Sequence, residues 1–138
     1  MKTIIALIGC SLIGVVCKSQ SRDSVSLTVE ITRLKKNKDF IVFAMLMNES
    51  KKVVQQKKVP SDQTDLTLVF KKLTKGKYAF RFFQDENGNG QLDFNFLGIP
   101  KESWGYSNDA RGFMSAPKIE DAMVDVNASK KIIVKSVN

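Results

Sequence analysis

The sequence predicts an all-β fold, an antiparallel β-sandwich of about seven strands that is immunoglobulin-like or transthyretin-like and carries a long ordered loop lobe. Three observations predict it. Most segments after residue 23 alternate apolar with polar residues, short polar turns separate them, and no amphipathic helix of useful length occurs. Hydrophobic residues make up 43% of the 138 residues, which is enough for the core of one domain.

The first three predicted strands differ in how much of each is buried. Ser24 to Thr32 alternates cleanly, as a strand with one wet face does. Phe40 to Met47 is apolar on both faces, which is typical of a central strand or of a strand at an interface. Val53 to Val59 is rich in lysine and ends at Pro60, which suits an edge strand because proline cannot donate a ladder hydrogen bond.

Four further strands complete the predicted sandwich. Leu66 to Phe70 alternates, and a tight turn at 75–77 leads into Tyr78 to Gln84, the most aromatic strand. Ala122 to Val126 and Ile132 to Val137 are the last two strands, joined by a polar turn. The stretch between the fifth and sixth predicted strands shows no regular periodicity and forms the predicted lobe, residues 85–121.

The amino-terminal residues have the pattern of a secretory signal. Lys2 supplies a positive start, Ile4 to Val16 is apolar, and small residues precede a cleavage site after Ser19. We therefore expect a signal peptide at 1–19, one domain at 20–138, and export to the periplasm or the extracellular space. The apolar run is shorter than the roughly 20 residues of a membrane span, so no transmembrane segment is expected after cleavage.

Both cysteines lie in this segment, and each bears on the alternative of a lipid anchor. Anchoring at Cys17 is less favoured because Val16 precedes it where a small residue is expected, and Cys10 leaves too short an apolar run before it. Cleavage after Ser19 would leave the mature chain without thiols. Because the chain also has no histidine, the histidine-dependent nucleophilic pairs and histidine-ligated zinc sites are excluded. We therefore expect a protein that is not an enzyme.

The net charge of +8 is unevenly distributed. Residues 20–84 contain 14 basic and 6 acidic residues, whereas residues 85–125 contain 3 basic and 8 acidic residues. Most of the basic residues are lysines, and ten of them form five adjacent pairs, which is how sheet edges are commonly kept soluble. Export and the scarcity of arginine argue against nucleic acid as a partner.

One loop has the spacing of a calcium ligand set. From Asp85 to Asp93, oxygen-bearing side chains occupy positions 1, 3, 5 and 9, Gly90 at position 6 permits a sharp bend, and position 7 offers its carbonyl. Calcium takes six to eight hard oxygens, so this pattern predicts a calcium site. The candidate ligands are Asp85, Asn87, Asn89, Gln91 and Asp93.

The loop departs from the EF-hand pattern at position 12, where Phe96 replaces the bidentate glutamate. Asn95, Glu102 or Asp109 would then complete the coordination shell. The alternative is an ordinary turn, since asparagine, aspartate and glycine also favour turns by themselves.

The segment from Asn95 to Pro117 is long but rich in apolar and aromatic residues, which argues against disorder. Trp104 and Tyr106 either cap the end of the core or form a platform that stacks on a sugar or a peptide. Under the second interpretation the partner is a cell-surface protein or a glycan.

Several motifs resemble the bacterial domain of unknown function 2141 family. They are the Asp-x-Asn-x-Asn-Gly loop at 85–90, Gly-Ile-Pro-Lys-Glu at 98–102, Gly-Tyr-Ser-Asn at 105–108, Arg-Gly at 111–112 and Glu-Asp-Ala at 120–122. The resemblance covers essentially the whole mature chain, and it implies an exported β-sandwich protein without an established activity. The segment from Leu73 to Tyr78 also resembles the strand entry of transthyretin-like and collagen-adhesin B-type modules, which supports the fold only.

The leading hypothesis is an exported, non-catalytic domain that binds calcium through the loop. One alternative is a carbohydrate-binding or adhesin-like module that uses Trp104 and Tyr106. Another is a hydrolase that uses two carboxylates flanking one bond. Its candidate acids are Asp85, Asp93, Glu102, Asp109 and Glu120.

Overall fold

The computed structural model describes residues 23–138, so the predicted signal segment with Cys10 and Cys17 lies outside the described residues. Within the described part the chain forms eight strands and two short 3₁₀ helices. The strands are β1 (Val25–Thr32), β2 (Asn37–Asn48), β3 (Val53–Ser61), β4 (Leu66–Leu73), β5 (Gly76–Asp85), β6 (Trp104–Tyr106), β7 (Met123–Val126) and β8 (Lys130–Lys135). The 3₁₀ helices span Ser107–Asp109 and Ile119–Ala122.

The strands form two sheets, which confirms the predicted β-sandwich. The three-stranded sheet has the order β4-β1-β8, and the five-stranded sheet has the order β3-β2-β5-β6 with β7 also paired to β5. β2 is central and β3 lies at an edge, as the apolar run and the lysine-rich run predict.

The expectation of a purely antiparallel arrangement is wrong at one pair, because β1 and β8 are parallel. The polar turn after Val126 does not form a hairpin. It carries the chain from β7 in the five-stranded sheet to β8 in the three-stranded sheet, and β8 then runs beside β1 in the same direction.

The core lies between the two sheets, and alternation fixes its residues. In β1 every second residue from Val25 to Ile31 is buried, and in β5 the inward residues are Tyr78, Phe80 and Phe82. Phe70 of β4 and Phe80 of β5 meet across the sandwich in an edge contact, with ring centroids 5.8 Å apart. Apolar burial of this kind is the main stabilising contribution to the fold.

The short strand β6 was not predicted. It pairs with residues 81–83 of β5, and on its other side the backbone of Trp104 is hydrogen-bonded to the backbone of Val137. Its central residue, Gly105, lies against Phe82, and a Cβ there would approach Phe82 Cε1 to 2.6 Å. Three residues are too few to show alternation, so β6 has no periodic signal in the sequence.

A smaller difference concerns Ala122, which belongs to a 3₁₀ helix and not to the sixth predicted strand. No helix in residues 23–138 has the length and apolar character needed to cross a membrane.

Candidate functional site

The candidate calcium loop begins on the face of the five-stranded sheet that points away from the core, here called the outer face. Alternation along β5 sends Phe82 and Gln84 inward and leaves Arg81, Phe83 and Asp85 on the outer face. Since Asp85 is the last residue of β5, the chain leaves the strand over this face.

Asp85 organises the first half of the loop. Its side chain is 2% exposed, its Oδ1 accepts a hydrogen bond from the Gly88 N–H at 2.8 Å, and its Oδ2 accepts one from the Gly90 N–H at 2.8 Å. Both glycines have positive φ, 78° and 75°, a conformation that costs other residues more. The loop therefore curls around its first acid, as the predicted bend at position 6 requires.

Three further side chains converge at the end of the loop. The Nδ2 group of Asn89 donates to Asp93 Oδ1 and Oδ2 at 2.9 and 3.0 Å, and the Nδ2 group of Asn87 donates to Asp93 Oδ2. Asn87 Oδ1 accepts from the Asn89 N–H, and Asn89 Oδ1 accepts from the Gln91 N–H. The side chains at positions 3, 5 and 9 thus share one exposed site.

Glu102 fastens the two ends of the loop together. Its Oε1 accepts from the Glu86 N–H at 2.9 Å and its Oε2 accepts from the Asp93 N–H at 3.1 Å. The side chain is 6% exposed, so this carboxylate has exchanged water for two backbone donors.

The remaining predicted ligands are not hydrogen-bonded into this site. Asn95 accepts from the N–H groups of residues 97 and 99 and so caps its own turn, and Asp109 accepts from the Lys135 N–H at 2.9 Å. The side chain of Gln91 is exposed at the surface of the loop. Asn95 and Asp109 thus have structural partners of their own.

Glu120 is a candidate only for the hydrolase alternative, and its contacts differ from those of the loop acids. It forms an ion pair with Lys51, and the hydrogen bond from this ammonium group holds the pKa of the Glu120 carboxyl below its ordinary value. Lys51 belongs to the turn after β2.

The donor set of the loop is suited to a hard cation only if amides and carbonyls contribute. Within residues 23–138 no group of three or more histidine, cysteine, aspartate or glutamate side chains could hold a metal ion. Two carboxylates with neutral oxygens around them match the composition of a weak calcium site better than that of a transition-metal site.

The acidic lobe is also tied to the basic part of the chain. Lys35 Nζ lies 2.7 Å from Glu86 Oε1, and the same oxygen accepts from the Ser103 N–H at 3.1 Å. Nearby, the buried Gln84 side chain donates to the Lys35 carbonyl and to Ser61 Oγ, each at 2.6 Å. The Lys35–Glu86 pair joins the lobe to the segment between β1 and β2, and the Gln84 bonds fix the end of β5 to the same segment.

A cleft of about 430 Å³ lies between the lobe and the outer face of the five-stranded sheet. Two lobe segments border it, the turn that includes the Phe94–Pro100 bridge and the irregular stretch 112–117. Its floor is formed by sheet residues. They are Met45, Arg81, Phe83, Trp104 and Tyr106.

Arg81 is the cation on this floor, and sequence reasoning missed it. Its Nη2 group contacts only the thioether of Met45, at 3.6 Å, and its buried Nε has no hydrogen-bond partner among residues 23–138. A buried donor without a partner costs about 1–3 kcal/mol. The available signal was its position in β5, since alternation places this arginine beside Phe83 on the face that the core does not use.

Trp104 and Tyr106 both line the cleft and are half-buried. Their rings meet at 78° with centroids 5.9 Å apart, so they form a corner and not the coplanar platform that a flat sugar face would require. The Arg111 guanidinium lies 5.6 Å from the centre of the Trp104 ring.

Apolar side chains of the lobe stand exposed near the mouth of the cleft. Phe96 is 95% exposed and Phe113 is 89% exposed. Neither ring is therefore packed into the core.

Comparison with known proteins identifies the family. A family model described as uncharacterized protein conserved in bacteria (DUF2141) matches residues 24–134, from β1 into β8. This confirms the resemblance found in the loop motifs. No curated protein matches the chain.

Proposed function

The chain belongs to the DUF2141 family, and from that premise we propose that it is an exported, non-catalytic β-sandwich domain whose loop at 85–93 binds calcium. The bound ion would stabilise the lobe, residues 85–121. Because the family is an uncharacterised one, the proposal depends on the geometry of this chain.

The observation that carries the proposal is the convergence of Asn87, Asn89 and Asp93 on one point of a loop that curls around Asp85. In the loop both amides direct their Nδ2 groups at Asp93 and their Oδ1 atoms at backbone N–H groups, so each amide would turn its oxygen toward the ion on binding. A calcium ion at this point would replace hydrogen bonds between neutral amides and a carboxylate with ionic ligation. An ordinary turn would not need a second carboxylate at position 9.

Glu102 supports a role in stability. By holding the N–H groups of residues 86 and 93 it brings the first and last parts of the loop together before any ion binds. Such preorganisation lowers the ordering cost of ligation. The exported mature chain is expected to have no disulfide, so a metal would supply part of the stabilisation that disulfides give other small secreted domains.

The non-catalytic part of the proposal is supported by the placement of the acids. Asp85 and Glu102 are buried with both oxygens on backbone N–H groups, and Glu120 pairs with Lys51. None of the cleft-lining residues in the described part of the chain is an aspartate or a glutamate. A two-carboxylate hydrolase needs two such groups flanking a substrate bond.

Calcium titration of the melting temperature tests the proposal. For a site with Kd on the order of 10⁻⁴ M, calcium at about 10 mM raises the free energy of unfolding by about 2.7 kcal/mol. The variants Asp85→Ala and Asp93→Asn should each lose this rise. Asp125→Asn, which makes the same charge change at an exposed position of β7, should keep it.

Magnesium at the same concentration should raise the melting temperature less, because it retains its waters and takes few protein ligands. Absence of any calcium response in the wild-type protein would contradict the proposal. An equal response in wild type and Asp93→Asn would place the ion elsewhere.

A further inference from the structure

We propose that the cleft between the lobe and the five-stranded sheet binds a small apolar molecule carrying one carboxylate, with Arg81 as the residue that recognises the carboxylate. This site is separate from the calcium loop and uses different residues. The proposal does not depend on calcium binding.

Arg81 lies at the floor of the cleft. β2 and β6 flank it, with Met45 opposite on one side and Tyr106 opposite on the other. Neither neighbour carries a charge, and the guanidinium forms no ion pair among residues 23–138. A guanidinium has five N–H donors in a planar fork, and here only one contacts an acceptor, a weak thioether. Because Nε itself is buried, a carboxylate in the cleft would accept from the remaining N–H donors of the two Nη groups.

The rest of the cleft surface is mainly apolar. Phe83 and Trp104 form the floor beside Arg81, and lobe residues such as Leu92, Ile99 and Met114 form the sides. The volume of about 430 Å³ lies within the usual range of small-molecule sites, roughly 300–1,000 Å³. Apolar walls with one fixed polar group are how such sites bind and orient an amphiphilic ligand.

The charge at the cleft is positive. Although the lobe is acidic overall, no aspartate or glutamate of residues 23–138 lines the cleft. Arg111 adds a second cation against Trp104. The cleft is therefore positive within a negative lobe, which favours an anionic ligand over a neutral or cationic one.

The size of the cleft favours a small molecule over a protein segment. A strand or helix from a partner would need a groove open along its length, whereas the lobe borders this cleft on two sides. The exposed Phe96 and Phe113 lie in the same lobe segments that form its sides, and they extend the apolar surface that an entering ligand would meet.

The protein carries its own probe for the test. Trp104 is the single tryptophan of the chain, so tryptophan emission reports on the cleft directly. We suggest titrating the purified protein with decanoate, decan-1-ol and decylammonium, which share one alkyl chain and differ in charge. Decanoate should change the emission and bind about tenfold or more tightly than decan-1-ol, and decylammonium should bind more weakly than both.

The key variant is Arg81→Met, which keeps an unbranched side chain of similar length and removes the charge. It should lower decanoate affinity about tenfold or more and leave decan-1-ol affinity nearly unchanged. Lys77→Met removes one positive charge from the same strand outside the cleft, and it should leave both affinities unchanged. The melting temperature of Arg81→Met should be no lower than that of the wild type, because the variant removes an unsatisfied buried donor.

The outcomes separate the alternatives. Equal affinities for the three probes would overturn the role of Arg81, as would unchanged decanoate binding in Arg81→Met. Absence of any emission change in the wild type would overturn the ligand site. A dimer whose dissociation exposes the cleft residues to solvent would also overturn it, because a second copy would then occupy the cleft. Repeating the decanoate titration in calcium and in a chelator keeps the result distinct from that of the calcium test.

Discussion

The sandwich and the lobe are stabilised in different ways. Between the sheets, side chains such as Phe70, Phe80 and Val134 are fully buried in one apolar cluster. In the lobe the buried side chains include Asp85, Glu102 and Ser103. The two carboxylates accept from backbone N–H groups, and the serine hydroxyl bonds the side chains of Glu86 and Asn138. The sandwich therefore depends on apolar area, whereas the lobe depends on a small number of hydrogen bonds to charged groups. The second arrangement is more easily altered by ions and by ligands.

The largest expected effect is in the sandwich. Phe80→Ala removes a fully buried ring that contacts Phe70 across the two sheets, and the free energy of unfolding should fall by about 3–5 kcal/mol. Chemical denaturation measures the change in free energy, and hydrogen exchange should show faster exchange in the amides of both sheets. A loss below about 1 kcal/mol would mean that the two sheets are not held together as described.

A smaller and more local effect is expected in the lobe. Glu102→Gln keeps the size of the side chain but replaces one of its two acceptor oxygens with a donor, so one of the loop N–H groups loses its partner. The expected cost is about 1–3 kcal/mol. Hydrogen exchange should show the loss of protection in residues 85–102, while the matched change Glu49→Gln at an exposed turn should have no effect. Exchange that rises equally in β1 and β4 would contradict the separation of the two regions.

The smallest expected effect separates backbone conformation from packing. Gly90 has a φ of 75° and a Cβ there would meet nothing within 4 Å, so Gly90→Ala should cost about 1 kcal/mol through the backbone alone. Gly76 also has free space but no positive φ, so Gly76→Ala should be neutral or slightly stabilising. Denaturation midpoints of the two variants give the comparison, and equal values would show that the loop does not require its left-handed turn.

The same contrast explains which parts of the structure could be predicted from the sequence. Alternation in β1, the apolar run of β2 and the aromatic residues of β5 each follow from burial, so the sandwich could be predicted strand by strand. The parallel pairing of β1 with β8 could not, because periodicity gives the face of a strand and not its neighbour. β6 was too short to show a period.

For the site, the oxygen spacing from Asp85 to Asp93 indicated which side chains would gather, and those at positions 3, 5 and 9 do converge. The structural roles of Asn95 and Asp109 depend on partners that spacing does not reveal, namely the turn at 97–99 and the N–H of Lys135. Arg81 was missed because one arginine in an aromatic strand indicates a site only once both flanking strands and the lobe above it are known.

The central claim is that calcium binds at residues 85–93 and stabilises the lobe selectively. Amide hydrogen exchange of the wild-type protein, with calcium and with a chelator, tests it most directly. We expect calcium to increase protection in residues 85–102 and to leave β1 and β4 unchanged. Equal exchange of residues 85–102 in the two conditions would contradict it.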